Sequence, residues 1–281
     1  MIIKTFDGIN IYYNKINKIK DKKEKKYAVF IHGGFQGNNT LIKKLYSYFY
    51  DEYVIIAPDL RGRGDSDFPK DIKNHKLEDY AKDILEILEK EKIKEIYLVG
   101  ISFGGLVALK FTYMFSNLVD IKKLVLISSN YTLKKIRKRT RLFGLFYIPL
   151  GNLVYYLSKN GKLTKKKGID YSSIKNPFFS IKYGLKSTLN NSLRVQALRY
   201  QLMKSSMNFS IDNEDLKKVI CPVLLIYGKK DFFFNKKTQY DILKNIKKCE
   251  IKIFQKGGHN LYIDNAKEVS KIIKAFFNKK D

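Results

Sequence analysis

A single serine stands among three glycines in the stretch LVGISFGG, residues 98–105. Ser102 is at the centre of a G-x-S-x-G pattern, with Gly100 two positions before it and Gly104 two positions after it. A serine on a tight strand-to-helix turn needs small residues at these positions because the backbone passes close by. Gly105 is expected to let the following helix pack closely on the sheet. That helix would favour negative charge at its N-terminus, so we predict that the Ser102 hydroxyl acts as a nucleophile towards a carbonyl carbon.

A serine hydroxyl needs a general base, and the chain has three histidines that could act as one. His32 lies in a glycine-rich loop after a predicted strand, and we expect it to order that loop. His75 lies in the charged segment KDIKNHKLED, and we expect it to be exposed to solvent. His259, in KGGHNLY, follows two glycines that allow its loop to turn in towards the sheet. We therefore predict that His259 is the base.

The imidazole of a catalytic histidine needs an acceptor that fixes its tautomer and stabilises its protonated form. Asp231 stands at the end of the predicted strand in LLIYGKKD and can accept the ring proton of His259. Asp241 falls inside a predicted helix and Asp264 at the start of one, so both are weaker candidates. We predict that Asp231 is the acid.

The segment HGGF, residues 32–35, follows the first predicted parallel strand. Backbone N–H groups there could stabilise a negatively charged oxygen together with the N–H of Phe103. The second donor is either Gly34 or Phe35, and the sequence leaves that choice open. The chain shows no cluster of metal-ligand type, no P-loop and no dinucleotide fingerprint, so we expect no metal and no cofactor.

Apolar runs alternate with amphipathic helices along most of the chain, as in a parallel sheet that is covered on both faces. We predict an α/β fold with a mostly parallel, doubly wound sheet. An N-terminal hairpin with a type I′ turn at Asp7-Gly8 precedes it. The predicted strands are YAVFIHGG, YVIIAPDL, IYLVGIS, IKKLVLISS, CPVLLIY and EIKIF. The predicted helices cover residues 40–50, 77–93, 103–116, 236–247 and 264–277.

One segment interrupts this alternation. Residues 131–212 carry 17 basic and only two acidic residues, which is more than half of the net charge of +28. Residues 142–157 within it are almost wholly apolar and have basic flanks. We interpret 131–212 as a mostly helical cap inserted into a core domain formed by residues 1–130 and 213–281.

The stretches FIHGG, PDLRGRGDSD, LVGISFGG, LLIYGKKD and GGHN together resemble the α/β-hydrolases, and among them the capped serine esterases and lipases. The resemblance covers roughly residues 27–130 and 219–277. It implies a catalytic triad in the chain order Ser102, Asp231, His259.

Two further features bear on this resemblance. In some relatives the acid follows the strand before the cap, but Ser128 and Ser129 stand there in this chain, which favours Asp231. The stretch DLRGRGDS is a turn after a strand in the family, and we expect Asp59 and Arg61 to be mainly structural.

The resemblance implies hydrolysis of a carboxylic ester through an acyl-enzyme. An apolar, aromatic cap favours a hydrophobic, lipid-like acyl group. The same triad could instead serve a C–C bond hydrolase, a lyase or a perhydrolase, for which Arg194 and Arg199 of the cap could bind a dioic or keto substrate. A ligand-binding scaffold without catalysis is a third reading, but no triad residue is missing.

The resemblance also argues against some relatives. Dehalogenases and epoxide hydrolases use an aspartate where Ser102 stands. Prolyl aminopeptidases often carry HGGPG rather than HGGFQG, and their caps need acidic residues for a free amine.

The basic composition bears on partners and location. The chain matches no nucleic-acid-binding fold, so we expect no nucleic-acid partner; the basic cap flanks could attract an anionic membrane surface transiently. The N-terminus has no signal-peptide pattern, and Cys221 and Cys249 do not form a disulfide framework. These features favour a cytoplasmic location.

Overall fold

The computed structural model describes residues 1–20, 25–34, 38–72, 75–134, 156–157, 192–231, 233–234 and 236–280. Most of the predicted cap therefore lies outside the described residues, and the boundaries at 131 and 212 stay a prediction. Of the apolar segment 142–157, only Tyr156 and Leu157 are described, and both are exposed.

The described residues form one eight-stranded sheet in the order β1-β2-β4-β3-β5-β6-β7-β8. The strands β3 to β8 run parallel to one another, while β2 pairs with β4 and β1 pairs with β2 in antiparallel orientation. The fold class predicted from the apolar runs is confirmed. The strands are β1 Ile2–Lys4, β2 Asn10–Ile16, β3 Lys26–Ile31, β4 Tyr53–Pro58, β5 Glu95–Ile101, β6 Asp120–Ile127, β7 Val223–Gly228 and β8 Cys249–Phe254.

Helices cover both faces of this sheet. The described α-helices are α1 Lys43–Tyr46, α2 Leu77–Lys90, α3 Phe103–Phe115, α4 Leu193–Ser206, α5 Asn213–Lys217, α6 Lys236–Asn245, α7 Leu261–Asp264 and α8 Ala266–Asn278. Apolar residues of α2, α3 and α6 pack into one core cluster, and those of α1, α7 and α8 into another. The sheet separates the two clusters.

Strand β3 illustrates why the sequences of the central strands are continuously apolar. Val29 and Ile31 belong to the first cluster, whereas Ala28 and Phe30 belong to the second. Successive side chains of a strand point to opposite faces, so a strand with a core on each side needs apolar residues at every position.

The N-terminal hairpin is present, but its predicted type I′ turn was wrong. A five-residue connection joins β1 to β2, and only Gly8 within it has a positive φ, of 78°. A type I′ turn requires a positive φ at Asp7 as well. Asp7 instead accepts a hydrogen bond from the Thr5 hydroxyl at 2.7 Å and pairs with Arg61 at 2.9 Å. These side-chain contacts stabilise the longer loop.

The predicted helix over residues 40–50 is also shorter than expected. Only α1 is α-helical there, and 3₁₀ turns flank it at Asn39–Ile42 and Ser47–Phe49. No helix within the described ranges has the length and apolar character required to cross a lipid bilayer.

Candidate active site

Ser102 lies on the sharp turn between β5 and α3. Its backbone has a φ of 51° and a ψ of −117°, in a region that residues with a side chain rarely adopt. The turn is fixed from both sides, because the Ser102 N–H donates to Ile127 O at 2.9 Å and its carbonyl accepts from Gly105 N at 3.0 Å. Ser102 is thus held at the carboxyl end of the parallel strands, in front of a helix N-terminus.

Two glycines allow the close approach that this turn needs. A Cβ atom at Gly104 would lie 2.4 Å from the carbonyl oxygens of Ile31 and His32. A Cβ at Gly100 would lie 2.5 Å from the Cα of Gly105. The small residues predicted on both sides of Ser102 are therefore required by backbone contacts.

Gly105 has a close neighbour in the loop after β6 as well as in the sheet. A Cβ there would lie 2.1 Å from the hydroxyl oxygen of Ser129, in the loop after β6. The Ser129 hydroxyl donates to the carbonyl of Ser102 at 2.8 Å. The glycine therefore makes room for a side chain that holds the turn, in addition to the packing of the helix on the sheet.

The imidazole of His259 connects Ser102 to Asp231. Its Nε2 atom lies 3.0 Å from the Ser102 hydroxyl oxygen, and its Nδ1 atom lies 2.9 Å from Asp231 Oδ2. The loop that carries His259 follows β8, and Asp231 follows β7, so both side chains stand at the same sheet edge as Ser102. The structure brings together the three residues that the sequence singled out.

Asp231 is held in place from its other side. Its Oδ1 atom accepts hydrogen bonds from the backbone N–H groups of Phe233, at 2.8 Å, and Phe234, at 3.3 Å. The side chain is only 1% exposed. The Phe233 ring packs against His259 with 4.6 Å between centroids, which shields the contact between imidazole and carboxylate from water.

The competing acids lie in other surroundings. The hydroxyl of Tyr131 donates to Asp241 Oδ2 at 2.9 Å, and Asp241 lies within α6. Asp264 lies at the end of the short helix α7, where burial raises the pKa of its carboxyl.

His32 orders the loop beside Ser102. Its Nε2 accepts from Leu60 N at 3.0 Å, so its Nδ1 donates to the Gly33 carbonyl at 2.6 Å. The side chain is fully buried, and burial lowers the pKa of His32 to about 3. The ring is therefore neutral and has no free nitrogen for base catalysis, as predicted.

The expectation for His75 was wrong, because this side chain is buried with only 6% exposure. Its Nδ1 donates to the Ile72 carbonyl at 2.7 Å, and its ring packs against Tyr80 and Phe209. The pKa of His75 is lowered, mainly because the side chain is buried. One of these partners, Phe209, is distant in sequence, so the charged local segment gave no sign of it.

The loop predicted to hold a negatively charged oxygen runs beside the turn. A Cβ at Gly33 would lie 3.3 Å from the Cβ of Ser102, and one at Gly34 would lie 3.3 Å from the Cβ of Phe103. Gly34 is thus adjacent to the start of α3. Phe35, the alternative donor, lies outside the described residues.

A cavity of about 190 Å³ opens onto Ser102 and His259. Its lining is mainly apolar and comes from the loops after β3, β6 and β7 together with α4 of the predicted cap region. Large side chains at this surface include Leu41, Phe103, Leu133, Met203, Met207 and Phe234. The helix α4 therefore contributes directly to the site.

The turn after β4 is a structural cluster, as expected for Asp59 and Arg61. Asp59 accepts from the backbone N–H groups of Asn39, at 2.6 Å, and Asp65, at 2.8 Å. Burial raises the pKa of the Asp59 carboxyl to about 6. Arg61 is bound by two carboxylates, those of Asp83 and Asp7.

Sequence reasoning missed Arg63, which lines the cavity. In the sequence it is one of several charged residues of a turn, and nothing in that pattern separates it from Arg61. Among the described residues, no three His, Cys, Asp or Glu side chains gather as the ligands of a metal ion would.

The eight-stranded sheet, with a serine on a strained turn after β5, defines an α/β-hydrolase. Residues 22–266 match the model of the family described as serine aminopeptidase, S33, and the chain belongs to this family of α/β-hydrolases. The sequence-based prediction of an α/β-hydrolase enzyme is therefore confirmed.

The chain is also similar to individual proteins. An uncharacterized protein of Mycobacterium tuberculosis strain H37Rv is 31% identical over 125 residues, which are 44% of this chain and only 35% of that protein. The AB hydrolase superfamily protein YisY of Bacillus subtilis is 22% identical over 98% of both chains. The structure of an esterase from Exiguobacterium antarcticum superposes with a TM-score of 0.72 at 19% identity, covering 99% of each chain.

Proposed function

We propose that the protein is a serine hydrolase that cleaves a carboxylic ester through a triad of Ser102, His259 and Asp231. The observation that carries this proposal is the continuous contact from Asp231 through His259 to Ser102, with heavy-atom distances of 2.9 and 3.0 Å. Both distances are within the range over which a positioned base removes a hydroxyl proton.

The reaction begins when His259 Nε2 takes the proton of Ser102 as the hydroxyl oxygen attacks the ester carbonyl. Asp231 holds the other ring nitrogen of His259 as the proton donor and stabilises the imidazolium that forms. His259 then gives its proton to the departing alcohol, which leaves an acyl group on Ser102. Water activated by His259 releases the acid and regenerates the serine.

The negative charge that develops on the carbonyl oxygen needs N–H donors. The N–H of Phe103 is suited to this role because it is the first residue of α3, where the N–H groups have no partner within the helix. The position of Gly34 beside Phe103 supports the Gly34 N–H as the second donor. Removing one such donor typically slows an acyl-transfer enzyme by about 100- to 1000-fold.

The apolar cavity supports an ester with a hydrophobic acyl group. The family is described as aminopeptidases, which must hold a protonated amine, and a carboxylate is the usual partner of such a group. The described residues that line the cavity include no Asp or Glu, but they include Arg63. This composition favours an ester over a peptide with a free amino terminus.

We also propose that residues 131–212 form a cap and that its basic flanks support transient attraction to an anionic membrane surface. The contribution of α4 to the cavity lining supports the first part. The basic composition of the segment supports the second part.

The test is turnover of p-nitrophenyl esters with acyl chains of increasing length. We expect the wild-type protein to hydrolyse them and the Ser102→Ala variant to lose turnover. Ser47→Ala is a matched control, because Ser47 is exposed and is not part of the cavity lining. The proposal fails if the wild type hydrolyses no ester of the series or if Ser102→Ala retains the wild-type rate.

A further inference from the structure

Arg63 is a buried cation at the wall of the catalytic cavity. The residue is only 3% exposed, yet it lines the same space as Ser102 and His259. Its guanidinium carbon lies 4.8 Å from the ring centroid of Phe103, the residue that follows the candidate nucleophile. A positive charge therefore stands beside the reacting groups.

The hydrogen bonds of Arg63 occupy only part of its donor capacity. Its Nη1 atom donates to the carbonyl of Arg61 at 3.0 Å and to the hydroxyl of Tyr80 at 3.1 Å. The buried Nε atom donates to no acceptor among the described residues. Both bonds leave from Nη1, so the edge formed by Nε and Nη2 is unoccupied within the described structure. This edge is one of the two with which arginine can bind both oxygens of a carboxylate.

Arg61, two residues earlier in the same turn, does have carboxylate partners. Arg61 donates to both oxygens of Asp83, at 2.5 and 2.8 Å, and to Asp7 at 2.9 Å. No carboxylate among the described residues forms an ion pair with Arg63. A buried charge without a counterion is strongly unfavourable, so an unpaired arginine at a cavity wall is best explained by a ligand that supplies the counterion.

We propose that Arg63 binds a carboxylate of the substrate, so that the preferred esters carry an anionic group in addition to the scissile bond. This inference rests on the proposed ester hydrolysis and names the substrate class within it. The apolar wall contacts the hydrocarbon part of the substrate, while the guanidinium of Arg63 binds the carboxylate. Arg63 is thus a specificity-determining residue.

Paired substrates test this inference. Mono-p-nitrophenyl glutarate carries a carboxylate on its acyl chain, and p-nitrophenyl 5-methylhexanoate replaces that carboxylate with a neutral group of similar shape. A second pair, 4-carboxyphenyl butyrate and 4-carbamoylphenyl butyrate, places the same difference on the alcohol side. In at least one pair, we expect kcat/KM of the wild type to be about tenfold or more higher for the anionic ester than for the neutral one. This difference corresponds to the free energy of a hydrogen bond to a charged group.

Substitution of Arg63 should change this ratio. We expect Arg63→Gln to lower the anionic-to-neutral ratio of kcat/KM by about ten- to 100-fold, and Arg63→Lys to keep part of it because the charge remains without the planar fork. The matched control is Lys122→Gln, which removes an exposed positive charge at the start of β6 and should keep the wild-type ratio. Equal losses on both members of a pair would contradict recognition of the anion.

A binding measurement separates this inference from the proposed chemistry. Calorimetric titration of glutarate and of 4-hydroxybenzoate into Ser102→Ala should show saturable binding of at least one of them, and Arg63→Gln in the same background should abolish it. Absence of binding for both, together with a wild type that hydrolyses neutral and anionic esters equally well, overturns the Arg63 inference alone. If the wild type hydrolyses no ester but binds a carboxylate through Arg63, the proposed reaction is wrong and the proposed binding of an anion by Arg63 still holds.

Discussion

His259 Nε2 lies 3.0 Å from the hydroxyl oxygen of Ser102, although 157 residues separate them in the chain. The contact exists because β5 and β8 are parallel strands of one sheet, so the loops that follow them meet at the same edge. The pairing of the strands thus places an imidazole beside the serine hydroxyl, although the two residues are far apart in the sequence.

Asp231→Asn should lower kcat by about 1000-fold or more, because an amide cannot hold His259 in the tautomer that accepts the serine proton. We expect stability to change little, since the amide oxygen can still accept from the Phe233 and Phe234 N–H groups. Steady-state kinetics on a p-nitrophenyl ester measures the effect. Asp241→Asn is the control, and its kcat should stay within about twofold of wild type because that carboxylate binds Tyr131. Equal effects of the two variants would contradict the assignment of the acid.

Gly104→Ala should destabilise the protein by at least about 2 kcal/mol, because its Cβ would overlap backbone atoms that cannot rotate away. The affected atoms are the Ile31 and His32 carbonyl oxygens, 2.4 Å from the new Cβ. Urea unfolding measures the change. Gly258→Ala serves as control, since its Cβ would meet nothing within 4 Å. Similar unfolding midpoints for both variants would argue against a tight turn at Ser102.

Asp83→Asn should lower the free energy of unfolding by about 3 kcal/mol, because it leaves the buried Arg61 without its main partner. The side chains of Arg61 and Asp83 are 1% and 2% exposed. Glu214→Gln, which breaks the exposed pair with Lys217, should change stability by less than about 0.5 kcal/mol. If both variants unfold like the wild type, the cluster after β4 does not stabilise the fold.

Acid should destabilise the wild type through His32, whose pKa is lowered from 6.5 to about 3 by burial. Because the folded state favours the neutral ring, this contribution is fully present above pH 6.5 and is lost as the pH falls towards 3. Between about pH 7.5 and about pH 5 the wild type should lose roughly 2 kcal/mol more than His32→Gln. Urea titrations at both pH values test this, and identical losses would contradict a neutral, buried His32.

The proximity of Ser102, Asp231 and His259 was predictable from sequence because each residue follows a strand whose apolar run is easy to detect. All three carry a local signal in their position after a strand, and glycines in addition flank Ser102 and precede His259. The parallel pairing of these strands then brings the three residues together, because the carboxyl ends of parallel strands lie at the same edge of the sheet.

The burial of His75 and the position of Arg63 in the cavity wall were not predictable, because both depend on contacts between distant parts of the chain. His75 is covered partly by Phe209, from the segment after α4. Arg61 and Arg63 occupy equivalent positions in the pattern RGRG, yet Asp83 of α2 pairs with only one of them. The carboxylates that α2 and the hairpin loop bring to this turn, Asp83 and Asp7, both pair with Arg61. Their positions therefore decide which arginine is structural.

Labelling with a fluorophosphonate, followed by mass spectrometry of the intact protein and of its peptides, is the most direct test of a nucleophilic Ser102. We expect the wild type to gain one phosphonyl group, located on Ser102, and Ser102→Ala to gain none. We also expect His259→Gln to be labelled far more slowly, because its Ser102 hydroxyl has no base. Labelling of the Ser102→Ala variant, or a wild type that stays unlabelled, would contradict a nucleophilic Ser102.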